Sequence, residues 1–181
     1  MLKTGSLEKL DNGIRHCRRC ERCLTRMYAV PGEGSANARI VLFGEAPGKN
    51  EDITGRPFVG RAGKYLDKIF REHKVDREEI FITSILKCYH PKPPKKSQIV
   101  SCHQWAEQQI EVIQPRIMLV MGTFAAWGLF GMEQLGTDLL DLVWNTTPCI
   151  VTCHPAAAMR FPDRDKQFRR DFKHMVQKVH I

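Results

Sequence analysis

The sequence predicts an α/β fold, a three-layer αβα arrangement around a central, mainly parallel four-stranded sheet. Three observations lead there. Four apolar runs, 39–44, 80–86, 117–121 and 149–153, alternate along the chain with segments of helical spacing. The runs are apolar at nearly every position rather than every second one, as in strands buried on both faces. The chain has 181 residues, 43 % of them apolar and 27 % charged, which suits a single domain spanning 1–181 with one sizeable core.

Each element follows in order. Residues 6–16 (SLEKLDNGIRH) read as a short N-terminal helix, and 17–30 as a basic, cysteine-rich segment closed by the turn Pro31–Gly34. The first strand runs into two glycine-rich stretches, Gly44–Gly48 and Gly55–Gly63. Residues 62–73 have helical spacing, with Leu66, Ile69 and Phe70 on one face. After the second strand, Pro91, Pro93 and Pro94 make 89–96 a loop, because proline fits neither a helix interior nor a central strand. Ser97 is expected to cap a helix reaching about Ile113. A short helix, 123–130, follows the third strand, and an amphipathic helix, 164–179, closes the chain. In such sheets, sites gather at the carboxyl ends of the strands. Gly44-Glu45, Ser84–Cys88, Gly122 and His154 follow the four strands, which makes Glu45 and His154 site candidates on position alone.

Composition narrows the function classes. No apolar run approaches the roughly 20 residues of a membrane span, and the polar first ten residues do not resemble an export leader, so a cytoplasmic protein is expected. Lysine and arginine number 28 against 20 acidic residues, a net charge of +8, which favours a polyanionic partner such as nucleic acid. Neither glycine stretch is a nucleoside triphosphate loop. Gly44–Gly48 has three residues between its glycines and Asn50 where a hydroxyl is needed, and Gly55–Gly60 is followed by Arg61-Ala62. The glycines do let a ligand approach the backbone closely.

Seven cysteines, an odd number without an export leader, argue against a disulfide framework. Cys17–Cys20 and Cys20–Cys23 are overlapping CxxC pairs, and Cys88 and Cys102 stand fourteen positions apart. A zinc ribbon would carry a second CxxC, and the long step suits a larger iron–sulfur cluster better. On spacing alone, cluster, zinc and free thiols all stay open.

The motifs taken together resemble a known family. Gly44-Glu-Ala-Pro-Gly48, Glu51-Asp52 and Gly55-Arg-Pro-Phe-Val-Gly-Arg-Ala-Gly63 are similar to the signature of the family 4 uracil-DNA glycosylases, which are iron–sulfur enzymes. Ile82–Cys88 and His154–Arg160 are similar to two further motifs of that family, and the resemblance runs in order from Cys17 to Arg160. It implies a monomeric, monofunctional DNA-repair enzyme that hydrolyses the N-glycosidic bond of uracil in DNA and leaves an abasic site. It also implies a 4Fe–4S cluster on Cys17, Cys20, Cys88 and Cys102, structural in role, with Cys23 a competing ligand and Cys149 and Cys153 core thiols.

The resemblance further assigns roles, which elementary chemistry supports. Base chemistry requires flipping the nucleotide into a pocket, here formed by Gly44, Ala46, Pro47, Gly48, Phe58 and Ser84, with Phe58 as the stacking face. His154 would donate to the charge developing on the uracil oxygen, helped by backbone N–H groups around Ala46. Glu45 would position water or stabilise the sugar cation, Met159 would wedge into the base stack and Arg160 would meet phosphate.

The chain departs from the family twice. Ser84 stands where the family usually has asparagine, and a serine hydroxyl can present either a donor or an acceptor, so specificity shifted or broadened toward other deaminated bases is an alternative. Residues 139–147 lack the family's Arg-Gly segment, which removes a phosphate contact. A non-catalytic iron–sulfur module that binds nucleic acid is the alternative from another class. Such a binder needs neither Glu45 nor His154.

Overall fold

A computed structural model describes residues 2–77 and 80–179; residues 1 and 180–181, the ends of the expected domain, lie outside the described residues. The elements run α1 (Leu2–Arg15), a 3-10 turn (Glu21–Leu24), β1 (Ile40–Gly44), α2 (Lys49–Thr54), α3 (Arg61–Glu72), β2 (Ile80–Ser84) and α4 (Lys96–Ile113). They continue with β3 (Ile117–Met121), α5 (Thr123–Phe130), β4 (Leu140–Trp144), β5 (Thr147–Thr152), α6 (Pro155–Ala158) and α7 (Pro162–Val179).

The sheet has five strands in the order β2-β1-β3-β5-β4, with β4 alone antiparallel. The expected class holds and the expected count of four strands is corrected to five. The added strand is half of a hairpin. Leu140–Trp144 alternates partly buried and exposed positions before ending in a buried Trp144, and Asn145, at φ +53°, turns the chain directly into β5. Asparagine tolerates that left-handed conformation, which tight hairpin turns require.

Strands β1, β2 and β3 are buried at every position because helices cover both faces. Val41 and Phe43 of β1 pack with Ile99, Ala106 and Ile110 of α4 and Ala125 of α5 on one side. Ile40 and Leu42 pack with Leu66, Ile69 and Phe70 of α3 and with Phe168, Phe172 and Met175 of α7 on the other. Successive residues of a strand point to opposite faces, so an unbroken apolar run fills two cores at once. No helix among the described residues is long and apolar enough to cross a membrane.

Two boundaries shift for local reasons. Helix α4 is capped at Lys95 rather than Ser97: the Lys95 N–H donates to Gln98 Oε1 at 3.1 Å, and the Gln98 N–H donates to the Lys95 carbonyl at 3.0 Å. Helix α2 falls between the two glycine stretches, where the sequence reading left no element. Its six residues end at Gly55, whose φ of +69° closes the helix.

Candidate functional site

The ends of β1 and β2 are level, with Gly44 opposite Ser84. The chain leaves β1 over Glu45–Gly48, β2 over Ser84–Cys88 and β5 at His154, so these residues meet at one edge of the sheet. A cavity of about 120 Å³ opens there, lined by Val30, Ala46, Pro47, Gly48, Glu51, Pro57, Phe58, Ala62, Ser84 and His154. Of the residues expected around a base, Ala46, Pro47, Gly48, Phe58 and Ser84 line it; Gly44 does not, and lies instead behind Phe58 and Ser84. A Cβ at Gly44 would stand 2.6 Å from the Phe58 ring and 3.1 Å from the Ser84 hydroxyl, so only glycine admits that ring.

Phe58 is held in an unusual backbone state, φ +50°. Such a conformation costs a non-glycine residue on the order of 1 kcal/mol and persists where surrounding contacts over-determine it. Here they do. One oxygen of the Glu51 carboxylate accepts the N–H groups of Val59 (2.8 Å) and Gly60 (2.7 Å), just past Phe58. Arg77 donates to the Pro57 carbonyl at 2.8 Å and is itself paired with Asp67 at 2.7 Å. The Phe58 ring faces that of His154, with centroids 6.1 Å apart and 27° between planes.

His154 caps the short helix α6. Its Nδ1 accepts the Ala156 N–H at 3.1 Å, which leaves the proton of a neutral imidazole on Nε2. Burial pushes its pKa down to about 4, against the pull of Glu51, so the ring is neutral at physiological pH. The site therefore has a neutral N–H donor beside an aromatic face.

Glu45 does not line this cavity. It lies beside it, between β1 and the start of α5, where its carboxylate accepts the Phe124 N–H at 3.1 Å. Burial raises its pKa, while the N–H groups of Phe124 and Thr123 hold it back. Gly122, at φ +100°, makes this seat possible, since a Cβ there would run into the Glu45 side chain.

The second region is a pocket lined by Cys17, Cys20, Cys23, Cys88 and Cys102 together with Arg19, Arg26 and Lys87. The four expected ligands come together, and Cys23 joins them. Cys149 and Cys153 lie elsewhere, on and just after β5, and donate to the carbonyls of Thr147 and Arg164. Trp105 Nε1 donates to Cys17 Sγ at 3.3 Å, and Arg26 to Cys88 Sγ at 2.9 Å. Burial pushes the Cys102 thiol up to about 12 and raises that of Cys88. Among the described residues, no three histidine, cysteine or acidic side chains close around the position of a single metal ion.

Sequence reasoning gave no role to the residues that join these regions. Asp52, next to Glu51, accepts the N–H groups of Met27 (3.0 Å) and Tyr28 (3.4 Å). Helix α2 thus fixes the stacking loop with one carboxylate and the cysteine segment with the next. The available signal was an acidic pair between two glycine stretches. Met159 and Arg160 follow α6 and are exposed, as is Phe161, a large apolar side chain the sequence reading passed over.

The comparisons with known proteins agree with this geometry. Residues 31–179 match the model of the uracil DNA glycosylase superfamily. The chain is 36 % identical to a type-4 uracil-DNA glycosylase of Saccharolobus solfataricus, over 93 % of this chain and 84 % of that protein. It is 38 % identical to one of Thermotoga maritima, over 96 % of this chain and 92 % of that protein. A more distant similarity, 27 % over 67 % of this chain, is to a type-5 uracil-DNA glycosylase of Pyrobaculum aerophilum.

Proposed function

The chain belongs to the uracil-DNA glycosylase superfamily, in its type-4 branch, and from that premise we propose how it removes uracil from DNA. The reaction is hydrolysis of the N-glycosidic bond, which frees the base and leaves an abasic site. DNA is the partner, and the net charge of +8 suits it. The chain acts as a monomer and a single domain.

The observation that carries the site assignment is the pairing of the Phe58 ring with a neutral His154 whose Nε2 keeps the proton. A flipped uracil stacks on Phe58 while Ala46, Pro47, Gly48 and Ser84 enclose its edges. As the bond to the sugar breaks, negative charge builds on the base oxygen. The His154 N–H donates to that charge, and a donor already oriented needs no reorganisation at that moment. Glu45 serves the other fragment. Its carboxylate, beside the base cavity rather than in it, faces the developing sugar cation or orients the attacking water. Among the described residues no lysine lines the cavity, which fits base removal without strand cleavage. Met159 enters the stack and Arg160 meets phosphate.

Cys17, Cys20, Cys88 and Cys102 would hold the 4Fe–4S cluster, with Cys23 near enough to exchange. The donor set fits. Apart from Ser101 the pocket is lined by thiols and basic groups, and a zinc ion would need its sulfurs within about 4 Å of one another, given Zn–S bonds of about 2.3 Å. When bound, the cluster crosslinks the N-terminal segment to β2 and α4, a structural service. The test is release of free uracil from a single-stranded oligonucleotide, with Glu45→Ala and His154→Ala beside the wild type. Release by the wild type, lost in both variants, is expected. Equal release by either variant would remove that residue from the mechanism.

A further inference from the structure

Among the described residues, several large apolar side chains left in solvent belong to segments that adjoin the base cavity, while Leu2, Val100, Leu139 and Val143 are exposed elsewhere. Met159 and Phe161 follow His154. Met27, Tyr28 and Ile53 form a second group through Asp52, and the mechanism above uses none of these three. Tyr28 is 52 % exposed, Met27 63 % and Ile53 49 %. Singly, such exposure needs no explanation; an apolar group concentrated at a binding site does.

This group is firmly built. The backbone N–H groups of Met27 and Tyr28 are fastened to the Asp52 carboxylate of α2, and Ile53 is the next residue on that helix. The Tyr28 side chain lies over Gly55, where a Cβ would meet its Cβ at 3.6 Å and the Arg15 guanidinium at 3.7 Å. The group also continues into the cavity. Val30, two residues past Tyr28, and Glu51, one residue before Asp52, both line it. An exposed ring thus stands two residues from the cavity lining, with the Arg15 guanidinium beside the same glycine.

We infer that Tyr28, with Met27 and Ile53 beside it, is a stacking shelf for an unpaired base next to the nucleotide in the cavity. The occupant is single-stranded DNA, or a strand locally opened by flipping. The base meets the ring face, and Arg15 meets the adjoining phosphate. Stacking on an aromatic ring is indifferent to base identity, so the shelf holds the strand without reading its sequence. This inference deepens the proposed function and rests on it for the identity of the strand.

The test uses a single-stranded oligonucleotide carrying a tetrahydrofuran abasic analogue flanked by the fluorescent base 2-aminopurine. Binding and fluorescence are followed for the whole protein and for Tyr28→Ala, Tyr28→Phe and Val143→Ala; Val143 is an exposed apolar residue on the distant strand β4. The wild type, Tyr28→Phe and Val143→Ala are expected to quench 2-aminopurine equally. Tyr28→Ala is expected to lose the quenching and about tenfold in affinity, the scale of one stacked base. The slope of affinity against salt should not change, because no phosphate contact is removed. Unchanged quenching and affinity in Tyr28→Ala would overturn the inference, as would weaker binding with a changed salt slope and quenching intact. Uracil release is measured in parallel. Release by the wild type with a silent Tyr28→Ala defeats only the shelf. Tyr28-dependent quenching without uracil release by the wild type supports the shelf and defeats the proposed reaction.

Discussion

Two pockets share the carboxyl end of β2: Ser84 lines the one that faces the base, and Cys88, four residues on, lines the one that gathers the thiols. The segment before β1 is shared in the same way, with Cys20 and Cys23 at one end and Val30 at the other. The base pocket is held by bonds the chain makes with itself. Glu51 carries the stacking loop, His154 is fixed by its own helix cap, and Glu45 is seated at the start of α5. The cysteine pocket brings five thiols together with basic groups; burial raises the pKa of Cys88 and Cys102, and Arg26 donates to Cys88 Sγ. Arg22 donates to Gln98 Oε1 and to the carbonyls of Cys88 and Lys92. Lys87 donates to Thr83 Oγ1 and Gln109 Oε1. Deprotonated thiolates bound to a cluster would supply the charge that this pocket lacks. The first pocket is held by the fold's own bonds, and the second is the one the proposed cluster would complete.

That contrast can be broken most forcefully at the cysteines. Cys88→Ala or Cys102→Ala should lose iron and several kcal/mol of stability, since binding of the proposed cluster would add to folding energy, while Cys149→Ala should keep its iron. Iron and sulfide content with thermal unfolding would show it. Equal iron in all three would separate the thiol pocket from any cluster.

Next in size is Glu51→Ala. Removing a carboxylate that holds two N–H groups should cost about 1–3 kcal/mol and lower kcat/KM for uracil release about a hundredfold, because Phe58 loses its orientation. Iron content should not change. Loss of iron along with activity would mean that the two pockets are one unit.

The pH profile sharpens the comparison within the base pocket. In the proposed mechanism Glu45 acts as the carboxylate, and burial raises its pKa, so release should fall as pH drops through that raised value. His154 stays neutral until about pH 4 and contributes no limb above it. Glu45→Gln should lower the rate and flatten the acid limb. An acid limb that survives in Glu45→Gln would point to another titrating group.

The smallest expected effect is at Ser84. Ser84→Asn offers a fixed donor and acceptor to the uracil edge and should raise the ratio of uracil to hypoxanthine or xanthine release several-fold. Equal or poorer uracil release by the variant would contradict a specificity role.

Much of this was legible in the sequence. Continuous apolar runs announce strands covered on both faces, and Val41–Phe43 and Met118–Val120 behave so. The residues at the strand ends meet because parallel strands all finish on one edge. The hairpin is less legible because β4 is no unbroken apolar run: Leu140–Trp144 alternates partly buried and exposed positions, and its signal lies in that short alternation and the Asn145 turn. The roles of Glu51 and Asp52 could not be read, because each acts on a backbone N–H group, at Val59 and Gly60 or at Met27 and Tyr28, and backbone donors leave no trace in side-chain identity. Tyr28 was passed over for a related reason. Its position beside the cavity depends on Asp52 and Gly55, residues distant in sequence.

The most direct measurement combines two readings on one preparation: iron content and single-turnover uracil release from a single-stranded oligonucleotide, for the wild type, His154→Ala and Cys88→Ala. The account predicts that the wild type carries iron and releases uracil, His154→Ala carries iron and has lost release by about a hundredfold or more, and Cys88→Ala has lost both. Wild-type release by His154→Ala, with its iron in place, would contradict it.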